Sequence, residues 1–178
     1  MVRNPVARAT GAAVITAVVV LVVVAGLGNQ ALQNWRETQA GSSNGWVADI
    51  FRALEQTGWR FNAAGGESSS HWLAPLVFNV AFLLLAFFLV EIAARDAGHL
   101  SVFFGTWSAV TLAAGGAGLI STPLAFQGVA SPASNNYVTT LTGGLVLGFL
   151  VGFVAALLSM ILAGRGARAV LGSVPVGD

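Results

Sequence analysis

The chain is 178 residues long, 56% hydrophobic and only 8% charged, with a formal net charge of +1. Soluble domains carry about 25% charged residues, so this inventory does not build a water-facing surface, and the mean hydropathy of +0.78 agrees. The near-zero charge argues against a nucleic-acid partner held by bulk electrostatics, and the lack of cysteine excludes disulfides, thiolate metal sites and thiol nucleophiles.

The composition is that of an integral membrane protein. A spanning helix needs about 20 mainly apolar residues, because the hydrocarbon core is roughly 30 Å thick and a helix rises about 1.5 Å per residue. Backbone groups in lipid must be bonded internally, so long apolar runs read as helices, whereas a barrel needs shorter alternating segments. Four runs qualify. The predicted fold is therefore an all-α membrane protein: four transmembrane helices in an antiparallel bundle, plus a short outer interfacial amphipathic helix, in one membrane domain covering 1–178.

The first run covers about 11–27 and contains VITAVVVLVVVAGLG. Arg3 and Arg8 precede it, as in a signal peptide, and Val24-Ala25-Gly26 resembles a cleavage site. The run is long for a signal sequence and three further spans follow, so it reads as a retained span.

An outer loop over 28–71 follows. Within it, NGWVADIFRALEQTGW at 44–59 is short, charged and patterned. Trp46, Val47, Ile50, Phe51 and Leu54 fall on one helical stripe, while Asp49, Arg52 and Glu55 fall on the other face. Ser43 or Asn44 can cap the start and Gly58 can end it. The spacing predicts a helix over about 45–57, too short and too charged to span. Trp46, Trp59, Phe61 and Trp72 favour the headgroup layer, so this helix is placed flat on the outer leaflet or across the outer ends of the spans. Its apolar stripe suits a lid over helix ends or a docking face for a partner.

The second run covers about 72–94. Phe78, Phe82, Phe87 and Phe88 make it bulky, and it is expected to show much of its surface to lipid. Asn79 lies inside the run and can bond across helices. Glu91 lies one turn from the end with Arg95 four residues on, the favourable order for a helical ion pair. An intramembrane carboxylate also marks a candidate proton or cation path. Pro75 is expected in the first helical turn, where its missing N–H is harmless.

The third run covers about 100–121, after the tight hairpin ARDAGH, and the fourth about 140–163. Small residues recur every four positions in both: Gly105, Ala109, Ala113 and Ala117 in the third, and Gly144, Gly148, Gly152 and Ala156 in the fourth. This glycine-zipper spacing gives a flat face that another backbone can approach closely. It suits packing of the two spans against each other, with self-association or a partner's helix as the other use. Thr106, Ser108, Thr111, Thr140, Thr142 and Ser159 are expected to bond their own helix carbonyls. The stretch 122–139 reads as an uncharged outer loop.

Arginine placement orients the chain. Arg3, Arg8, Arg95, Arg165 and Arg168 lie on one side, close to helix ends. Arg36, Arg52 and Arg60 lie on the other, mixed with acidic residues. The bias puts the tails 1–10 and 164–178 in the cytoplasm of a bacterial cell, the chain being multi-pass in its inner membrane.

No catalytic set can be assembled. His71 and His99 fall on opposite membrane faces by this topology and cannot share a metal or a haem. Glu67 and His71 have helical i, i+4 spacing and could hold a metal with a third ligand, but GGESSSH reads as a loop. No cofactor, metal or nucleic acid is expected, and no broken midspan helix or inverted repeat signals a transporter fold. The reading is a non-catalytic accessory or scaffold subunit that meets the lipid bilayer and either other membrane subunits or copies of itself. The alternative is a small oligomeric transporter or channel lined by Glu91, Asn79 and the hydroxyl residues.

Overall fold

The computed structural model describes residues 5–29, 57, 69–95, 98–128 and 133–171. Among them there are four helices and no strand: α1 Pro5–Leu27, α2 Ser69–Ala94, α3 His99–Ala125 and α4 Ala133–Leu171. Each is long and apolar enough to cross a membrane, over Ala9–Leu27, Leu73–Ala94, Leu100–Ala125 and Ala133–Ile161.

The helices form where local preference in water would be modest. α1 is rich in valine, which loses side-chain freedom in a helix. In lipid the choice is set instead by the need to bond every backbone group within the segment. Pro5 opens α1, a position where its fixed φ and missing N–H are both tolerated. The helix closes with Gly28 N–H donating to the Val24 carbonyl at 2.8 Å.

All four helices extend past the boundaries expected from hydropathy, α1 starting at Pro5 inside the expected tail. α2 begins at Ser69, so Pro75 sits in its second turn, not its first. α3 continues to Ala125 and takes in Pro123 near its end. α4 begins at Ala133, so that 133–139 of the expected 122–139 loop is helix, and it runs 39 residues. Its last eight residues, 164–171, are helix where a tail was expected. At roughly 1.5 Å per residue, that adds about 12 Å past the expected span. The turn after α3 uses Gly128 at φ 82°, a left-handed conformation that glycine adopts without a Cβ penalty.

α3 packs along both α2 and α4, the two most extensive helix contacts; α1 packs against α2 and, over less surface, against α4. The core is built from small and medium side chains, among them Ala109, Val110, Ala113, Ala114 and Ala117 of α3 and Leu147, Val151 and Ala155 of α4. Phe78 and Phe82 of α2 also belong to it, at 1% and 0% exposure, with their rings 5.8 Å apart. Much of α2 does face outward, as expected, with Phe88 exposed, but Phe78 and Phe82 point inward. The reason is helical geometry: Phe78, Phe82 and Ala86 share the buried face, while Val80, Leu84, Phe88 and Ile92 share the exposed one. The outside is as apolar as the inside, with Val14, Val18 and Val22 of α1 and Phe149 and Phe153 of α4 all exposed. Water would penalise such a surface; lipid does not.

Candidate functional site

The tightest packing lies between α3 and α4. A Cβ added to Gly144 would overlap the Ala114 carbonyl oxygen, and one added to Gly148 would stand 2.7 Å from the Ala114 Cβ and 2.8 Å from the Val110 oxygen. At Gly152 it would stand 2.9 Å from the Trp107 oxygen. Rising numbers on α4 meet falling numbers on α3, so the two helices run antiparallel with backbone against backbone. Glycine is what permits this approach. Ala156, the fourth residue of the stripe, is fully buried.

The small stripe of α3 does not answer the stripe of α4. Gly105 faces α2, where an added Cβ would meet the Ala93 Cβ at 3.4 Å, and Gly116 faces Leu85 of α2 at 3.2 Å. Ala109, Ala113 and Ala117 are buried in the core. The α3 surface that receives the α4 glycines is instead Trp107, Val110, Thr111 and Ala114.

Trp107 closes one end of this seam. Its indole Nε1 donates to the Phe149 carbonyl at 2.9 Å, across 42 residues of sequence. Gly152 leaves room for the ring, which lies 4.8 Å from Phe149 and 5.7 Å from Phe153 between centroids. Phe103 joins the same group, 5.8 Å from Trp107 and 5.9 Å from Phe153.

Hydroxyls close the other end. Thr122 and Thr140 hydrogen-bond to each other across the seam. Thr122 Oγ1 also reaches the Gly118 carbonyl at 2.8 Å, and Ser121 Oγ reaches the same oxygen at 3.0 Å. Thr140 reaches the Asn136 and Tyr137 carbonyls at 3.1 and 3.2 Å. Gly116 lies against Leu85, and six residues further along each antiparallel helix are Thr122 and Asn79. Asn79, fully buried, is therefore level with this hydroxyl pair.

Glu91 and Arg95 form the expected pair, at 3.3 Å, with the arginine side chain 56% exposed and the carboxylate 22%. An exposed pair of this kind contributes at most about 1 kcal/mol. Thr111 bonds its own helix as expected, to the Trp107 carbonyl at 2.8 Å. Thr106 and Ser159 do not: both hydroxyls are buried without a partner among the described residues, and so is that of Thr16 on α1. Thr16 sits inside a valine-rich run and gives no signal in the sequence.

Among the described residues no group of three His, Asp or Glu side chains could hold a metal. Glu67 and the side chain of His71 lie outside those described. So does the segment carrying Trp46, Val47, Ile50, Phe51 and Leu54; its last residue, Thr57, is described, is not helical and is fully buried. No protein-family model, no curated protein and no solved structure matches the chain.

Proposed function

We propose that the chain is a non-catalytic accessory or scaffold subunit of a bacterial cytoplasmic-membrane complex. In this reading α1 to α4 form an antiparallel bundle, both termini are cytoplasmic, and the amphipathic segment near 45–57 lies over the outer ends of the helices. One observation carries it. Among residues 73–94 and the other three spans, Glu91 is the one charged side chain, and it is already paired with Arg95 near a helix end. The interior is filled by Phe78, Phe82, Val110, Leu147 and close-packed alanines, so the chain spends its inner surface on cohesion. Its unsatisfied surface is the apolar exterior, where a membrane partner or lipid binds.

Purification of the tagged protein from its host in mild detergent, with mass spectrometry of what is retained, tests this reading. A stoichiometric membrane partner is expected. A homo-oligomer that retains no partner would overturn it and favour the second reading, a small oligomeric transporter or channel. Three buried hydroxyls without partners give that alternative its support. Glu91→Gln should abolish transport there and leave an accessory subunit working.

A further inference from the structure

Charge is spread unevenly over the four helices. α1 carries Arg8, α4 carries Arg165 and Arg168, and neither helix contains an Asp or a Glu. α2 is followed by Arg95, but that guanidinium is paired with Glu91, and Asp96 comes next in the chain. The unbalanced positive charge therefore belongs to α1 and α4.

The fold brings these arginines to one end. α3 runs antiparallel to α2, since Gly105 lies against Ala93 and Gly116 against Leu85, and it also runs antiparallel to α4. The connection 28–68 holds no apolar run of about 20 residues, so it cannot cross the membrane, and α1 ends on the side where α2 starts. The start of α1 and the ends of α2 and α4 then share the other side. α1 packs against both α2 and α4. Arg8 is next in the chain to Ala9, which is fully buried, so the start of α1 is tied into the bundle. Gly152 lies against Trp107, which puts α4 level with Leu100, the start of the α3 span, near residue 159. Arg165 is about six residues farther, roughly 9 Å. The headgroup layer occupies roughly 5–8 Å on each side of the hydrocarbon core, so Arg165 stands at its outer edge and Arg8 at its inner one.

Two further features fit an anion here. α4 stays helical to Leu171 through GRGARAVL, although glycine is a poor helix former and the segment runs on past the start of the α3 span. A surface that neutralises its arginines favours that helix. Every immediate chain neighbour of Arg8, Arg165 and Arg168 is Ala or Gly, so no bulky neighbour crowds a headgroup.

We propose that the seam between α1 and α4 binds an anionic phospholipid at this end, with Arg8 and Arg165 on its phosphate and Arg168 extending the site outward. Guanidinium and phosphate form charge-assisted, often bidentate hydrogen bonds, and basic clusters next to a spanning helix suit anionic headgroups. α1 packs on α4 over less surface than on α2, which leaves the shallower seam on the α4 side. A lipid fits better than a soluble anion because the same two helices expose Val14, Val18, Leu158 and Ile161 to its acyl chains.

The full-length protein in nanodiscs tests this by Tm and by native mass spectrometry of retained lipid. Phosphatidylglycerol and phosphatidylcholine in equal parts should give a higher Tm than phosphatidylcholine alone, with phosphatidylglycerol retained. Arg8→Gln and Arg165→Gln should each weaken that retention about fivefold. Arg165→Lys should keep most of it, and Arg60→Gln, in the connection at the opposite end, should leave it unchanged. Equal Tm in the two lipids, or full retention after both Arg8→Gln and Arg165→Gln, would overturn the proposal. A loss in Arg60→Gln as large as in Arg165→Gln would also overturn it, since net charge and not this seam would then decide. So would the same Tm rise from inorganic phosphate in phosphatidylcholine nanodiscs, which would make the ligand a soluble anion.

Discussion

Gly148 of α4 lies against Ala114 of α3 so closely that a methyl group on the glycine would stand 2.7 Å from the alanine's own. Three glycines repeat this relationship along one seam, and it divides the glycines of the chain into two kinds. Gly144 is pressed against the α3 backbone, whereas Gly26 of α1 has open space around it. Gly144→Ala should destabilise by about 1–3 kcal/mol or more, the cost of overpacking where backbone cannot yield. Gly26→Ala should be neutral or stabilising by up to about 1 kcal/mol, the helix-propensity gain. Thermal unfolding in one detergent measures both, and equal effects would contradict the seam.

Trp107 joins α3 to α4 by a hydrogen bond from its indole to a mid-helix carbonyl. Trp107→Phe keeps an aromatic ring near Phe149 and Phe153 and removes the donor. The Phe149 carbonyl keeps its own helix as an alternative partner, so no group is orphaned. A loss of about 0.5–1.5 kcal/mol is expected, the net worth of one such bond. A loss above about 3 kcal/mol, as for Phe/Trp→Ala in a core, would mean that ring packing dominates.

The Thr122–Thr140 hydroxyl pair is a side chain to side chain hydrogen bond between two helices. Each hydroxyl also has a carbonyl of its own helix in reach. Either threonine can therefore satisfy itself when the other becomes valine. A double-mutant cycle with Thr122→Val and Thr140→Val should give a coupling of about 0.6 kcal/mol and no more than about 1.7. Zero coupling would mean that the two hydroxyls act independently.

Hydropathy located all four spanning helices because lipid leaves the backbone no other choice. It could not say which face of a span is buried. In a soluble protein the apolar face points inward, but here Phe78 and Phe88 are equally acceptable to core and lipid, and only the packed structure separates them. Residue size is the better guide. The spacing of Gly144, Gly148 and Gly152 identified a close-packing face, although not its partner surface, which is Trp107, Val110, Thr111 and Ala114 while Gly105 lies against α2. The start of α4 was missed because Ser134, Asn135 and Asn136 read as loop residues, yet they occupy the first helical turn, where polar side chains are common. Thr16 was invisible for a simpler reason. One hydroxyl in a run of valines changes neither hydropathy nor period.

The most direct test of the seam is Gly148→Leu, measured for both Tm and native mass over a range of protein concentrations. A seam within one chain predicts a large drop in Tm that does not depend on concentration, with the mass of the remaining folded particle unchanged. If Gly148→Leu instead kept its Tm and lost only higher oligomers, the glycine face would join separate copies, and the internal packing of α3 on α4 would be contradicted.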